Sequence, residues 1–269
     1  RTNRTLAQQS RHLLAAAWLT SAQSLLKHMK LFLLLVKLFF ASAATLARSI
    51  PWNVGVAAGT PLCTPFGRES VVAAIDALKQ GRLICVVDDE DRENEGDLIM
   101  AGEFASPETI GFMVRYTSGV ICVSVPDERL RALDFPPMCA NNEDPKGTAF
   151  TVSVDYKHGT STGISAADRA ATFRALADPT STADDFCRPG HVFPLRPRAG
   201  GVIERNGHTE AAHDFMQLAG LKRVGVLSEI CNEDGSMARL PELLPFCEEH
   251  RLVLTSIADL EAYIKEQQT

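Results

Sequence analysis

Seven of the ten residues from 88 to 97, in the stretch VVDDEDRENEGD, are acidic. Carboxylates this dense repel one another, and a divalent cation relieves the repulsion. Oxygen ligands that leave room for retained water suit Mg²⁺ or Mn²⁺. Arg92, in the middle of the run, adds a planar donor fork that fits phosphate or carboxylate. The apolar residues 83–87 lie directly upstream, and ligand sites collect at the ends of buried strands. The competing reading is a solvated acidic turn, the usual fate of charge runs. An EF-hand fails, because a loop starting at Asp91 would put Gly102 where the bidentate Glu belongs.

Three more segments have residue types that do chemistry. In RNGHTEA (205–211), Gly207 allows close backbone approach and the amides from Thr209 onward open a helix, which is an anion site reinforced by Arg205. His208 is a candidate metal ligand, and Thr209 is a candidate N-cap. RPGHVFPLRP (188–197) holds His191, read as a base or as a plain loop histidine. GTSTGISAADR (159–169) presents hydroxyls before a helix, to hold phosphate or simply to cap. Each segment is weak alone; an acidic loop, two Gly-His segments and a hydroxyl loop in one chain form a constellation.

Elements must hold these segments in place. Val71, Ala74, Ile75 and Leu78 recur at helical spacing before Gly81. Residues 83–87 read as a buried strand and 98–102 as a second short apolar run. Ser106-Pro107-Glu108 starts a helix. Strands are expected at 119–125, 148–155, 223–230 and 252–257. Helices are expected from Ser165 to Asp178, from Thr209 to Ala219, and near 241–250 and 257–267. Residues 135–147 and 178–201 read as long irregular loops, which in compact domains are usually functional. Strands and helices mix without a strict βαβ repeat, so an α+β (mixed α/β) fold is expected, with a mixed sheet under helices.

Charge divides the chain. Up to Arg68 there are eight basic residues and no acidic one, leaving 19 of the 27 basic residues against all 33 acidic ones, a balance of −14. The acidic part repels polyanions and argues against nucleic acid. In the basic part, MKLFLLLVKLFFASAATLA (29–47) combines a basic start, an apolar run and small residues, and its flanks are free of acid. Together these predict an organellar, plastid-type address over 1–65, with a cytoplasmic location if that extension is not translated. Lys37 interrupts the run, so no stable membrane span is expected. Seven cysteines without a CxxC pair predict a reducing compartment and mostly buried thiols.

The motifs DDEDRENEGDL, GTAFTVSVD, TGISAADRA, RPGHVFPL and GGVIERNGHTEA together closely resemble 3,4-dihydroxy-2-butanone 4-phosphate synthase of riboflavin biosynthesis. The resemblance runs from about residue 64 to the end and implies one catalytic domain over 66–269, built as a three-layer α-β-α sandwich. It implies conversion of D-ribulose 5-phosphate to L-3,4-dihydroxy-2-butanone 4-phosphate and formate. The metal would be Mg²⁺ or Mn²⁺, two ions per site, held by Glu93 and His208 and stabilising an enediolate as Lewis acids. Substrate binding carries over to Arg92, Glu93, Asp97, Arg205, Asn206, Gly207, His208, Thr209 and Glu229. The essential proton-moving positions carry over to His191 and Glu229, with Glu95 ordering a water or hydroxyl beside them. The family is homodimeric with shared sites, which would let the acidic loop of one chain meet a Gly-His loop of the other. A non-catalytic relative that binds a sugar phosphate or another anion is the alternative.

Overall fold

The computed structural model describes residues 66–268; the expected targeting extension lies outside them. Helix α1 (Arg68–Lys79) buries Val71, Ala74, Ile75 and Leu78, as their spacing predicts. Strands β1 (Ile84–Val87) and β2 (Gly96–Ala101) form an antiparallel hairpin, with the acidic run as its turn. Helix α2 (Pro107–Tyr116) starts in a capping box between Ser106 and Thr109. Then come β3 (Cys122–Ser124), α3 (Asp127–Ala132), β4 (Val154–Tyr156) and α4 (Ala166–Ala177), the last capped by Ser165. Strand β5 (Phe186–Leu195), the short α5 (Gly201–Glu204), α6 (His208–Leu218) and β6 (Gly225–Glu229) follow. Helix α7 (Leu240–His250), β7 (Val253–Ser256) and α8 (Ile257–Gln267) complete the chain.

The sheet order is β4-β5-β3-β6-β2-β1-β7, with β1/β7 and β3/β5 parallel and the other pairs antiparallel. Successive strand residues point to opposite faces. Cys85, Val87, Leu98 and Met100 therefore pack with Ile110 and Phe112 of α2, Phe173 of α4 and Leu243 of α7. Ile84, Val86, Ile99 and Leu227 pack with Val71 and Leu78 of α1, Phe215 of α6 and Leu260 of α8. Helices on both faces make the expected three-layer α-β-α sandwich around a mixed sheet. Burial on both faces is why the central strands read as unbroken apolar runs.

Four expectations need correcting. The strand expected over 148–155 is mostly a set of isolated bridges, Phe150 to Leu195 and Thr151 to Pro137, with regular pairing only from Val154. The expected strand at 119–125 shortens to three residues, because Gly119 adopts φ 83. Much of the expected loop 178–201 is β5, a ten-residue strand. Its two prolines hid it. Pro189 falls where the register against β4 jumps from Cys187 to Val192, so no ladder donor is missed there. Finally, α6 begins at His208 with Gly207 as its N-cap, so Thr209 sits inside the first turn and does not cap it. Three of the six described thiols are buried and none is in a disulfide, but Cys139 and Cys187 are exposed. No helix among the described residues is long and apolar enough to cross a membrane.

Candidate active site

The β1–β2 turn is organised by its first carboxylate. Asp88 accepts the amides of Glu95 (2.8 Å) and Glu93 (3.0 Å) and an N–H of Arg92 (2.9 Å). The chain reverses at Asn94, which adopts φ 56. Arg239, the residue before α7, closes the turn from outside by donating to the carbonyls of Glu93 (2.7 Å) and Asn94. Oxygens of Asp88 and Glu93 and a ring nitrogen of His208 lie within 4.8 Å of one another. Asp88 is nonetheless a poor ligand, because both its oxygens are already committed to donors.

The better third group is Asp97. Nε2 of His208 lies 3.1 Å from the carbonyl of Val86, an acceptor only, so Nε2 carries a proton, and Nδ1 is the nitrogen turned to the carboxylates, where a cation would take the place of its proton. Nδ1 faces Glu93 Oε2 at 3.7 Å and Asp97 Oδ1 at 3.6 Å. Asp97 is 2% exposed, and its Oδ1 is buried without a hydrogen-bond partner. An imidazole nitrogen oriented by a backbone carbonyl, beside two carboxylate oxygens of which one is orphaned, fits a hard divalent cation. The carboxylate oxygens suit Mg²⁺ or Mn²⁺, and the imidazole nitrogen adds a softer ligand of the kind transition metals take.

The electrostatics match. Burial pushes the Asp97 carboxyl up to about 8, reinforced by Glu229, Glu93 and Glu95 and opposed by His208. Burial lowers the His208 imidazole, but Asp97 and Glu93 outweigh it and hold it at about 9. His208 and Arg92 keep Glu93 down at about 2 against its own burial. Burial, Glu93 and Glu229 raise the Glu95 carboxyl. A positive charge in this gap is strongly favoured, which is the property a cation site needs.

The anion side adjoins it. Added to Gly207, a Cβ would lie 2.3 Å from Arg205 Nη1 and 2.9 Å from Arg92 Nη2, so two guanidinium groups crowd over this backbone. Arg205 is steadied by Glu210 at 2.5 Å and by the carbonyl of Lys146, while Lys146 Nζ donates to the carbonyl of Arg92 at 2.6 Å. Thr209, 6% exposed, lies in the first turn of α6, and Asn206 is exposed just before it. Two guanidinium groups converge at the N-terminus of an eleven-residue helix, a donor set suited to phosphate.

Strand register places the remaining residues. Asp97 pairs with Glu229, whose carboxylate accepts from the Ser118 hydroxyl at 2.8 Å. Cys122 pairs with both Leu227 and Phe193, so two residues back along β5 His191 stands level with Glu229. At about 4.8 Å per strand, that is roughly 10 Å from Glu229 and 14 Å from Asp97. The acidic loop therefore meets the His208 segment within one chain. His191 is the one expected site residue held apart. Cys122 is buried, and burial with Glu229 pushes its thiol up, so it stays protonated.

Sequence reasoning missed Arg239, Lys146 and Asp155. Isolated basic residues in loops give no periodic signal, and only the contacts of Arg239 with two acidic-loop carbonyls mark it. Arg239→Ala is expected to weaken Mg²⁺ binding about 10-fold, in the range of lost outer-shell contacts. Calorimetric titration checks this, and Arg239→Lys should recover part of the loss.

Residues 72–263 match the family described as 3,4-dihydroxy-2-butanone 4-phosphate synthase. The chain is 56% identical over 200 residues to "Riboflavin biosynthesis protein RibBA" of Salinispora tropica, an alignment covering 74% of this chain and 50% of that one. It is 53% identical over 208 residues to "Bifunctional riboflavin biosynthesis protein RIBA 1, chloroplastic" of Arabidopsis thaliana, covering 77% of this chain and 38% of that one. This chain thus spans about half or less of the length of these two relatives. A crystal structure of 3,4-dihydroxy-2-butanone 4-phosphate synthase in complex with two magnesium ions superposes with a TM-score of 0.71 at 45% identity, over 74% of this chain and 97% of that one. The acidic turn, the glycine-histidine helix start and these likenesses converge: the chain belongs to the 3,4-dihydroxy-2-butanone 4-phosphate synthase family.

Proposed function

We propose that this chain converts D-ribulose 5-phosphate to L-3,4-dihydroxy-2-butanone 4-phosphate and formate in riboflavin biosynthesis, using Mg²⁺ or Mn²⁺. The observation that carries the reading is the convergence of His208 Nδ1, Glu93 Oε2 and the orphaned Asp97 Oδ1 beside the guanidinium groups of Arg92 and Arg205. A phosphorylated ketose needs this combination, a cation for its carbonyl and hydroxyl oxygens next to an anion site for its phosphate.

Glu93 and His208 hold the metal, with two ions per site as the family resemblance implies; the solved relative is in complex with two magnesium ions. When bound, these ions act as Lewis acids toward the ketose oxygens. Arg92, Arg205, Asn206, Gly207 and Thr209 receive the phosphate end, and Asp97 closes the buried side. Glu229, at the end of the central strand β6, and Glu95, in the turn before β2, move or hold protons at the sugar. His191 supplies a further base. Because it stands about 14 Å from Asp97 along its own sheet, the base of each site is His191 of the partner subunit in a symmetric homodimer. Residues 66–269 form the catalytic domain. The basic, acid-free extension is a plastid address, in keeping with the chloroplastic relative, and a reporter fused to residues 1–65 tests it.

A protein beginning at residue 66 should release formate from D-ribulose 5-phosphate, lose that activity in a chelator and regain it with Mg²⁺ or Mn²⁺. Phosphate binding without formate release at any metal concentration would establish the non-catalytic reading instead.

A further inference from the structure

His191 is held by Asp155, the last residue of the GTAFTVSVD segment and one to which the sequence assigns no role. Its backbone amide donates to Asp155 Oδ1 at 2.9 Å, and its Nδ1 lies 2.7 Å from Asp155 Oδ2. Both oxygens of one carboxylate thus grip one residue through two unlike groups. An ionised carboxylate only accepts, so the shared proton belongs to Nδ1, and Nε2 keeps its lone pair. The imidazole is 42% exposed while Asp155 is 12% exposed, so the ring faces outward from a buried anchor.

The surroundings are built around this pair. Gly163, at φ 92, lies against Asp155 so closely that an added Cβ would be 2.0 Å from Oδ2, so a glycine is required there. The hydroxyl loop that carries Gly163 is pinned by Asp168, which accepts from the Gly163 amide at 3.1 Å and from the Ser161 hydroxyl at 2.7 Å. Gly190 is equally confined, because a Cβ there would meet the backbone of Val154 at 2.0 Å. The register of β4 against β5 shifts between Val154, opposite Val192, and Asp155, opposite Cys187, so His191 falls in the irregularity and meets Asp155 through its carboxylate rather than as a ladder partner. Arg169 of α4 is 5% exposed, its Nε has no hydrogen-bond partner, and Nη1 donates to the carbonyl of Gly119 at 3.3 Å. Asp155 is the charge that offsets part of the cost of burying this guanidinium.

We propose that Asp155 is a positioning residue that fixes His191 as the Nδ1–H tautomer and presents Nε2 as the proton acceptor. The inference rests on the reading of His191 as a base and adds what makes it one. A histidine without such an anchor would divide its time among rotamers and both tautomers, and only a fraction would present the accepting nitrogen.

The test is ¹⁵N NMR of histidine-labelled full-length chain with Mg²⁺, with the His191 resonances assigned from the spectrum of His191→Ala. The expected spectrum of the unaltered chain shows the His191 proton on Nδ1. In Asp155→Asn the side-chain amide donates to Nδ1, and the proton should move to Nε2. In the same variant kcat should fall about 10²-fold with KM changed less than about threefold, within the range of a positioned base. A His191 proton on Nε2 in the unaltered chain overturns the inference whatever the variant does. Full turnover by Asp155→Asn beside an inactive His191→Ala also overturns it, while leaving the His191 reading intact. Full turnover by His191→Ala itself removes that underlying reading.

Discussion

Glu93→Gln and His208→Ala are each expected to slow formate release from D-ribulose 5-phosphate by about 10³-fold or more, the kinetic equivalent of losing several kcal/mol of Lewis-acid stabilisation. The two variants remove different things. Gln keeps the shape of Glu93 and can keep its contact with Arg92, but it removes the negative charge and replaces one acceptor oxygen with a donor, so its defect reports the loss of the carboxylate as a ligand. His208→Ala removes the nitrogen ligand and strips the Val86 carbonyl of its partner, which costs about 1–3 kcal/mol of stability. Removing the imidazole also deprives Asp97 of the positive neighbour that opposes its burial, so Mg²⁺ affinity should fall most in this variant. Paired measurements of formate, Mg²⁺ binding by calorimetry and the thermal midpoint separate these effects. Undiminished turnover with undiminished Mg²⁺ affinity in either variant would contradict the metal assignment.

His191→Ala is expected to lose about 10²–10⁴ in kcat while binding Mg²⁺ normally, because the residue lies about 14 Å from the cation gap of its own chain. The decisive form of this experiment mixes two inactive proteins. When Glu93→Gln and His191→Ala subunits are unfolded and refolded together, random pairing makes about half the dimers mixed. If each site takes Glu93 from one chain and His191 from the other, every mixed dimer has one intact site. About a quarter of the unaltered activity should then return. If each site draws both residues from its own chain, no mixed dimer contains an intact site and the mixture stays inactive. The result thus tests subunit sharing directly, and an inactive mixture whose mixed dimers are demonstrated by mass would remove it.

Legibility varied with the range of the interaction. The helices were read closely, since α1, α2 and α4 declare themselves through periodic burial and local caps at Ser106 and Ser165. Strand β5 was hidden, because its burial does not alternate and two prolines interrupt it; its pairing with β3 is a long-range fact. In the site, the acidic run, Arg92 and the glycine-histidine helix start were visible as unusual local chemistry. Their division of labour was not. Nothing in the run tells Asp88, whose oxygens organise the turn, from Asp97, whose Oδ1 is left for a cation. Nor could Arg239 or Asp155 be singled out, since each acts on a residue far away in the chain.

The sequence by itself determined which groups exist and where charge accumulates. An acid-free basic extension, a crowded carboxylate turn after an apolar strand and a helix start rich in donors are local properties, governed by short-range repulsion, capping and burial. The tertiary structure alone decided which of those groups share a space. Strand order sets distances in steps of about 4.8 Å. Placing β6 between β2 and β3 keeps Glu229 beside Asp97 and carries His191 away from both. Packing α6 against the same sheet lowers His208 onto Val86, Glu93 and Asp97. Those adjacencies follow from how the two faces of the sheet are covered, a property of the whole chain that no single segment contains.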